Sequence, residues 1–236
     1  GSRVEYKTFQ SKLLGREIRY GLYLPKSYSS NPARKYPVLY FLHGMYENEM
    51  RWSTRGQTDL LLDRMTAEGK IGEFIVATPN GGTSFYTNTR DGSERWEDMI
   101  VSEFVPAIES ANRVDASRAK RGISGTSMGG YGALKIAMKH PDVFGSVSAH
   151  SAVLLADLSA AHVSAGRLQM FQTLFDRIFG INRDLSYWEA NNPMTLAKDT
   201  KRLNGLKIYF DCGTEDDYGF ETGARLLGEM LTKAGY

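Results

Sequence analysis

The pentapeptide Gly-Thr-Ser-Met-Gly at 125–129 carries the clearest chemical signal in the sequence. It has the form G-x-S-x-G, in which a serine, here Ser127, stands on a tight turn between a strand and a helix. A side chain at either flanking glycine would collide with the neighbouring strand or helix, and glycine removes that collision. The N–H groups that begin the helix would lie beneath the serine, where negative charge develops during attack on a carbonyl. The pattern therefore predicts a nucleophilic serine that carries out acyl transfer.

The residues around this pentapeptide favour a strand before it and a buried helix after it. The apolar Ile123 lies in a short predicted strand over 122–124, and small and apolar residues follow over 129–138. That composition is typical of a helix packed closely against a sheet. His140 and Pro141 end the predicted helix. The alternative interpretation is a glycine-rich turn between a strand and a helix that carries no chemistry.

A nucleophilic serine needs N–H donors for the oxyanion, a general base, and an acid that orients the base. One donor is expected to be the N–H of Met128, which immediately follows the serine. The second is expected in the His-Gly-Met loop after the apolar strand predicted over 38–42, where we assign the N–H of Met45. His43, in the same loop, is predicted to be a buried structural histidine whose ring holds the loop.

The acid is expected after a later strand, because proteins with this turn carry their residues in the order serine, acid, histidine. The segment Asp-Cys-Gly-Thr-Glu-Asp-Asp follows a strand predicted over 206–210 and fits that position. We predict Asp216 as the acid, with Asp217 as the alternative. These carboxylates would otherwise belong to a solvated loop or favour a helix N-terminus, a role that suits Asp217.

The general base is not identified by the same order of residues. The sequence contains four histidines: His43, His140, His150 and His162. All of them precede Asp216, so we expect the base beyond Tyr236, on a strand and loop that this sequence does not include. His140 is predicted to cap a helix, and His150 to end a strand at the carboxyl edge. A triad built on His150 or His162 is the alternative.

Composition excludes several other function classes. The 29 Lys and Arg residues nearly balance the 27 Asp and Glu residues, and no basic run indicates nucleic acid or an anionic membrane surface. No apolar run is long enough to span a bilayer. The single Cys212 cannot form an internal disulfide, and no Cys and His cluster has the spacing of a zinc site. Gly1 and Ser2 resemble a cloning scar, so a leader removed from the natural protein is compatible with the sequence and the compartment stays open.

Strands alternate with helices along the chain, which predicts an α/β fold with a largely parallel sheet. The predicted strands cover 4–9, 18–24, 38–42, 74–78, 122–124, 143–149 and 206–210, and the predicted helices cover 58–68, 96–112, 129–138, 167–179 and 220–233. The first two strands are expected to form an antiparallel hairpin at the sheet edge, and Pro106 is expected to kink its helix. A single domain over 1–236 follows from the length, with a cap-like excursion over about 151–204.

Taken together, these motifs resemble the esterase D family of α/β-hydrolases. That family includes feruloyl and acetyl-xylan esterases, S-formylglutathione hydrolase and the mycolyltransferases of the antigen 85 complex. The resemblance rests on Y-L-P at 23–25, Y-P-V-L-Y-F-L-H-G at 36–44, P-N-G-G-T-S-F-Y-T at 79–87, W-E-D-M-I-V-S-E-F-V-P at 96–106, G-I-S-G-T-S-M-G-G-Y-G-A-L at 122–134, H-P-D-V-F at 140–144 and F-D-C-G-T-E-D at 210–216. It departs from the family in lacking a C-terminal Gly-Gly-His-type segment, so we expect a C-terminal strand and helix to be missing.

The resemblance implies an α/β-hydrolase fold with helices on both faces of the sheet. It also implies Ser127 as nucleophile, Met45 and Met128 as oxyanion donors, and Asp216 as the triad acid. The implied activity is hydrolysis of small or carbohydrate-linked acyl esters through an acyl-enzyme, with no cofactor and no metal. The alternatives are an acyltransferase of the same family, and a non-catalytic binding protein on a hydrolase scaffold, which the missing base favours.

Three aromatic residues near the expected site are candidates for substrate contact. Phe85 and Tyr86 lie in the polar loop after the strand predicted over 74–78, and Trp96 begins the helix that follows. They are predicted to form an aromatic wall for an acyl group or a sugar. The alternative is that they pack the loop against the start of the helix.

Overall fold

The computed structural model of the protein describes residues 1–156, 165–180 and 185–236, and for 165–170 it describes the backbone alone. The strands in these ranges are β1 (Arg3–Ser11), β2 (Arg16–Leu24), β3 (Val38–Leu42), β4 (Ile75–Pro79), β5 (Arg121–Thr126), β6 (Ser146–His150) and β7 (Lys207–Asp211). The helical elements there are α1 (Ser27–Ser30), α2 (Arg51–Thr54), α3 (Thr58–Ala67), α4 (Trp96–Asp98), a π-helix (Met99–Phe104), α5 (Val105–Ala111), a 3-10 helix (Arg118–Lys120), α6 (Met128–Lys139), α7 (Ala165–Phe179), α8 (Leu185–Ala190), α9 (Pro193–Leu196) and α10 (Phe220–Lys233).

The strands of the described ranges form one seven-stranded sheet in the order β1-β2-β4-β3-β5-β6-β7. Strand β2 pairs antiparallel with both β1 and β4, whereas β4, β3, β5, β6 and β7 are parallel to one another. The predicted parallel sheet with antiparallel N-terminal edge strands is therefore confirmed. In the register of this sheet Leu42 faces Gly125, and Thr126 faces His150. The carboxyl ends of β3, β5 and β6 thus meet at one edge, where α/β sheets bind ligands.

Helices cover both faces of the sheet, as the sequence predicts. Successive residues of a strand point to opposite faces. In β3, Val38 and Leu42 belong to the large core that includes α6. The intervening Leu39 packs instead in a smaller cluster with Trp52 of α2 and Leu62 of α3. The continuous apolar sequence of β3 therefore reflects burial on two sides.

Helix α6 approaches the sheet so closely that no side chain fits between them at its first turn. A Cβ atom on Gly129 would stand 1.9 Å from the carbonyl oxygen of Leu42. A Cβ atom on Gly125 would stand 2.2 Å from the carbonyl oxygen of Gly129. The steric reason given above for the two glycines of the pentapeptide is therefore confirmed. The same approach buries the helix along nearly its whole length.

Most predicted elements agree with the structure to within two residues at each end, and two differ by more than that. Residues 143–145 form no strand, because the N–H of Val143 turns back to the carbonyl of His140 and β6 begins at Ser146. The single helix predicted over 96–112 is divided by the π-helical segment. Pro106 follows this segment in a backbone that stays helical through Phe104 and Val105, and it has no N–H to donate to the preceding turn. The irregularity expected at this proline thus takes the form of a change in helix type.

The excursion between β6 and β7 packs onto the core through aromatic side chains. Phe175 lies 5.5 Å from Trp188 between ring centroids, and Trp188 stacks on Tyr131 of α6 at 6.1 Å. His162 lies outside the described residues, so its predicted alternative role stays a prediction. The expectation that the excursion over about 151–204 caps the site also stays a prediction. Among the helices of the described ranges, none is both long and apolar enough to cross a membrane.

Replacing Gly129 with alanine tests the close contact between α6 and β3. Gly129→Ala is expected to lower the free energy of unfolding by about 3 kcal/mol, the upper end of the usual cost of overpacking, because backbone on both sides must move to admit the methyl group. Gly228→Ala is the matched control, since a Cβ there meets its nearest atom at 3.6 Å. Urea denaturation measures both variants. Equal midpoints for Gly129→Ala and the unmodified protein would contradict the contact.

Candidate active site

Ser127 occupies a strained backbone conformation at the end of β5. Its φ is 56° and its ψ is −117°, a region that non-glycine residues rarely adopt. Such strain costs about 1–3 kcal/mol and persists only where the surrounding structure enforces it. Here the Ser127 N–H donates to the His150 carbonyl at 2.9 Å, and the Ser127 carbonyl accepts from Tyr131 N–H at 3.0 Å and Val153 N–H at 3.2 Å. The predicted tight, strained turn is therefore present.

The loop after β3 lies beside this turn, because β3 and β5 are hydrogen-bonded neighbours. A Cβ atom on Gly129 would also come within 2.7 Å of the His43 carbonyl oxygen, so the loop contacts the first turn of α6 directly. In the part of the chain that the structure describes, neither the Met45 N–H nor the Met128 N–H has a hydrogen-bond acceptor. The Met128 N–H directly follows the serine, and the loop that carries Met45 contacts the first turn of α6. Their assignment as the two donors of an oxyanion hole stays a prediction.

His43 has the structural role that the sequence predicts. Its side chain is buried, its Nδ1 lies 2.7 Å from the Gly44 carbonyl oxygen, and its Nε2 accepts the Gly81 N–H at 2.9 Å. These partners require a neutral ring with the proton on Nδ1. Burial lowers the pKa of His43, although its bond to the Gly44 carbonyl opposes that shift. We call the loop over 43–45 the donor loop. The imidazole therefore links the donor loop to the loop after β4.

Asp216 lies at the start of α10, and its carboxylate is held by the backbone there. Its Oδ2 accepts the N–H groups of Tyr218 and Phe220, each at 3.0 Å. The sequence favoured Asp217 for a role at the helix N-terminus, but it is Asp216 that accepts the first N–H of α10. The side chain of Asp217 is exposed. No histidine among the described residues contacts Asp216. Its assignment as the catalytic acid remains a prediction.

His150 has a carboxylate partner that sequence reasoning did not identify. Its Nδ1 lies 3.0 Å from Oδ2 of Asp211, which faces it across the β6–β7 pair. The imidazole lines a cavity on the α2 and α3 face of the sheet, together with Ser124 and Ser148. In the described part of the chain no side chain hydrogen-bonds the Ser127 hydroxyl. A triad built on His150 would therefore need a hydrogen bond between its imidazole and the Ser127 hydroxyl, which this conformation lacks.

The three aromatic candidates for substrate contact are buried. Phe85 and Tyr86 have no exposed surface, and Trp96 is 5% exposed. Phe85 packs edge-on against Tyr131 of α6 at 5.5 Å, and the Tyr86 hydroxyl donates to the His43 carbonyl at 3.0 Å. The structure therefore favours the packing alternative over the predicted aromatic wall. The alternation of polar and aromatic residues in this loop did not reveal that its aromatics point inward.

An open cavity beside the donor loop contains residues that the sequence did not single out. Tyr46 follows Met45, is 72% exposed and shares this cavity with Leu174 and Arg177 of α7. The Arg177 guanidinium donates to the Thr83 carbonyl at 3.0 Å, so α7 is tied to the loop after β4. Of the described residues, no group of three or more His, Cys, Asp or Glu could hold a metal ion.

Similar proteins include both sequence relatives and solved structures. An endo-1,4-beta-xylanase/feruloyl esterase of Xylanibacter ruminicola is 32% identical over 148 residues, which cover 60% of this chain and 20% of that protein. The chain thus spans about a fifth of the length of this curated relative. A solved ferulic acid esterase has a TM-score of 0.83 at 29% identity, over 99% of this chain and 86% of that one.

A more distant likeness concerns the fold alone. An S-formylglutathione hydrolase from Agrobacterium tumefaciens has a TM-score of 0.70 at 17% identity, over 99% of this chain and 94% of that one. The resemblance inferred from the motifs and the predicted α/β-hydrolase fold are both confirmed. The model of the Esterase family matches residues 11–233, nearly the whole chain, and the protein therefore belongs to this family of α/β-hydrolases.

Proposed function

We propose that the protein is a serine carboxylic-ester hydrolase whose nucleophile is Ser127. The observation that carries the proposal is the strained Ser127, which is followed by the Met128 N–H and lies beside the loop that carries the Met45 N–H, both without acceptors in the described residues. Family membership and the similarity to a ferulic acid esterase support the same chemistry. Because the fold accommodates many activities, the geometry of the site is the stronger support.

The proposed reaction has two halves. The Ser127 oxygen attacks the ester carbonyl carbon while its proton passes to a base, and the carbonyl oxygen becomes an oxyanion held by the Met45 and Met128 N–H groups. Each such donor contributes about 2.7–4 kcal/mol to the transition state. The intermediate then releases the alcohol, which takes the proton, and leaves an acyl-serine. Water then attacks the acyl-serine with its proton passing to the base, the carboxylic acid leaves, and the serine oxygen takes the proton back.

The base in this proposal is a histidine outside the described residues. His43 is buried in the donor loop, His140 contacts Glu97, and His150 contacts Asp211. Asp216, held at the start of α10, is the proposed acid that orients the base. An acid of this kind stabilises the imidazolium and fixes its tautomer.

We infer that the substrates are small esters or acyl groups attached to carbohydrate. Support comes from the relatives named as feruloyl or ferulic acid esterases, which cover most of this chain. The cavity beside Tyr46 and Arg177 is the proposed entrance for one side of the ester. The partner of the protein is then the ester substrate itself.

Ser127→Ala is expected to abolish the reaction. In the full-length protein, kcat/KM for p-nitrophenyl acetate should fall by at least about 10⁴-fold, because the nucleophile of a triad cannot be replaced by water at comparable rate. A fluorophosphonate probe should label the unmodified protein and leave Ser127→Ala unlabelled. Ser110→Ala is the control, because that hydroxyl is exposed on α5 and bonds only the Ala107 carbonyl.

Other results for Ser127→Ala and the unmodified protein would point to a different function. Equal hydrolysis by the unmodified protein and Ser127→Ala would overturn the proposal. An unmodified protein that neither hydrolyses esters nor reacts with the probe would be a non-catalytic binding protein on this scaffold. Product formed mainly on an added alcohol acceptor would identify an acyltransferase instead.

Asp216→Asn separates the catalytic role of this residue from its structural one. Asparagine keeps an oxygen that accepts the Tyr218 and Phe220 N–H groups, so the melting temperature should be unchanged. The kcat should nevertheless fall by about 10⁴-fold, because an amide cannot hold the histidine in the required tautomer. Asp217→Asn should retain both properties. If Asp216→Asn keeps full activity, its carboxylate serves only to begin α10.

A further inference from the structure

A fully buried lysine lies on α6, two turns beyond Ser127. Lys135 has no exposed surface, a rare environment for an ammonium group. Its Nζ donates to the Tyr86 carbonyl at 2.6 Å, to Oγ1 of Thr87 at 2.9 Å and to Oε2 of Glu97 at 2.8 Å. An ammonium group has three N–H donors, so every one of them has an acceptor. Two of the three acceptors belong to one short segment, residues 86–87.

The charge of Lys135 is balanced by a carboxylate at the start of the 96–111 helical region. Glu97 is also buried, and its Oε1 contacts Lys139 at 2.9 Å and His140 at 3.0 Å. Burial lowers the pKa of Lys135 to about 8, and Glu97 opposes that shift. Burial raises the pKa of Glu97, but Lys135, His140 and Lys139 outweigh it and hold that pKa well below its ordinary value. Both groups are therefore charged at neutral pH.

Stability alone does not explain a buried ion pair of this kind. Well-packed apolar side chains of similar volume often give equal or greater stability, because two charges must be desolvated to form the pair. Buried polar groups are better attested as devices that specify one geometry. We therefore expect the Lys135 ammonium to hold one particular geometry of the chain around it.

Lys135 holds a turn whose backbone is strained. Phe85 and Tyr86 have φ values of 51° and 49°, so two consecutive residues with side chains occupy the left-handed region. Such residues keep this conformation only where their surroundings determine it. The ammonium bonds the Tyr86 carbonyl, and it bonds the Thr87 hydroxyl, which itself donates to the Phe85 carbonyl at 2.8 Å. Both strained residues are thus tied to Lys135.

This turn directs the Tyr86 ring onto the donor loop. The ring lies in a slot between Gly81 and Gly132, where a Cβ atom would come within 2.2 Å and 2.7 Å of it respectively. At the end of the slot the Tyr86 hydroxyl donates to the His43 carbonyl, and the ring packs edge-on against the His43 imidazole at 5.9 Å. Met45 lies only two residues after His43. The contacts therefore run without a gap from Lys135 to the donor loop.

We propose that Lys135 is a positioning residue for the oxyanion donor of Met45, acting through Tyr86. The role rests on the proposed function, because it is the ester-hydrolysing site whose donor is positioned. Lys135 touches no substrate. It holds the turn at Phe85 and Tyr86, the turn sets the Tyr86 hydroxyl on the His43 carbonyl, and that bond sets the direction of the Met45 N–H. The nucleophile helix thereby carries both the serine and the anchor of the second donor.

Lys135→Met is the variant that tests this role. Methionine fills the apolar part of the site, while Lys139 and His140 continue to neutralise Glu97. We expect kcat to fall by about 10- to 100-fold, less than the loss that follows outright removal of an oxyanion donor. KM should change by less than about threefold, because the oxyanion forms only in the transition state. The amide chemical shift of Met45, measured by NMR on the full-length protein, should also move.

Tyr86→Phe is the second variant and keeps the test decisive if Lys135→Met does not fold. It removes only the hydroxyl that bonds the His43 carbonyl, so the Met45 amide shift and kcat should change as in Lys135→Met. The double variant should lose no more activity than the larger single loss, because both residues act along one path. Lys139→Met is the matched control, since it contacts Glu97 without contacting Tyr86.

The outcomes separate this proposal from the proposed function. A Met45 amide shift and a kcat in Lys135→Met and Tyr86→Phe equal to those of Lys139→Met would overturn the positioning role. Failure of the unmodified protein to hydrolyse esters or react with a fluorophosphonate would overturn the proposed function. In that case the Met45 amide shift alone would still decide whether Lys135 and Tyr86 position the donor loop.

Discussion

Helix α6 meets the end of strand β3 at Gly129, where a methyl group would stand 1.9 Å from the Leu42 carbonyl oxygen. This contact sets the height of the helix above the sheet. The chain must turn within a few residues to pass from β5 into a helix so close, and Ser127 therefore takes a positive φ. Hydrogen bonds from neighbouring backbone hold the turn in that conformation. The strain at Ser127 is thus a consequence of packing at Gly129.

The donor loop is held by a second set of contacts, which are polar and buried. His43 joins the loop to Gly81, and Tyr86 joins it to the interior of the molecule. The Lys135–Glu97 pair lies behind these contacts and ties them to the nucleophile helix. Because the polar groups of Lys135, Glu97, Tyr86 and His43 have partners, this network can fix one geometry without the cost of an unsatisfied charge. Serine and donor loop therefore share one rigid support.

Much of the fold follows from local sequence signals. The bounds of β3 and α10 agree with the sequence because an apolar run and a helical period respectively define them. The strained turn also follows, since G-x-S-x-G between a strand and a helix is the sequence pattern of that turn. The inward direction of Tyr86 does not follow, because its partner Lys135 lies 49 residues away in sequence. The His150–Asp211 contact likewise depends on strand register, which the sequence does not specify.

We propose that the close contact at Gly129 presents Ser127 to the Met45 and Met128 N–H groups at once. A crystal structure of the full-length protein after reaction with an alkyl fluorophosphonate tests it directly. We expect phosphorus on the Ser127 oxygen, with one phosphoryl oxygen about 2.7–3.1 Å from both the Met45 and the Met128 nitrogen. An adduct whose oxygens face solvent, or a serine whose φ has relaxed to a negative value, would contradict it.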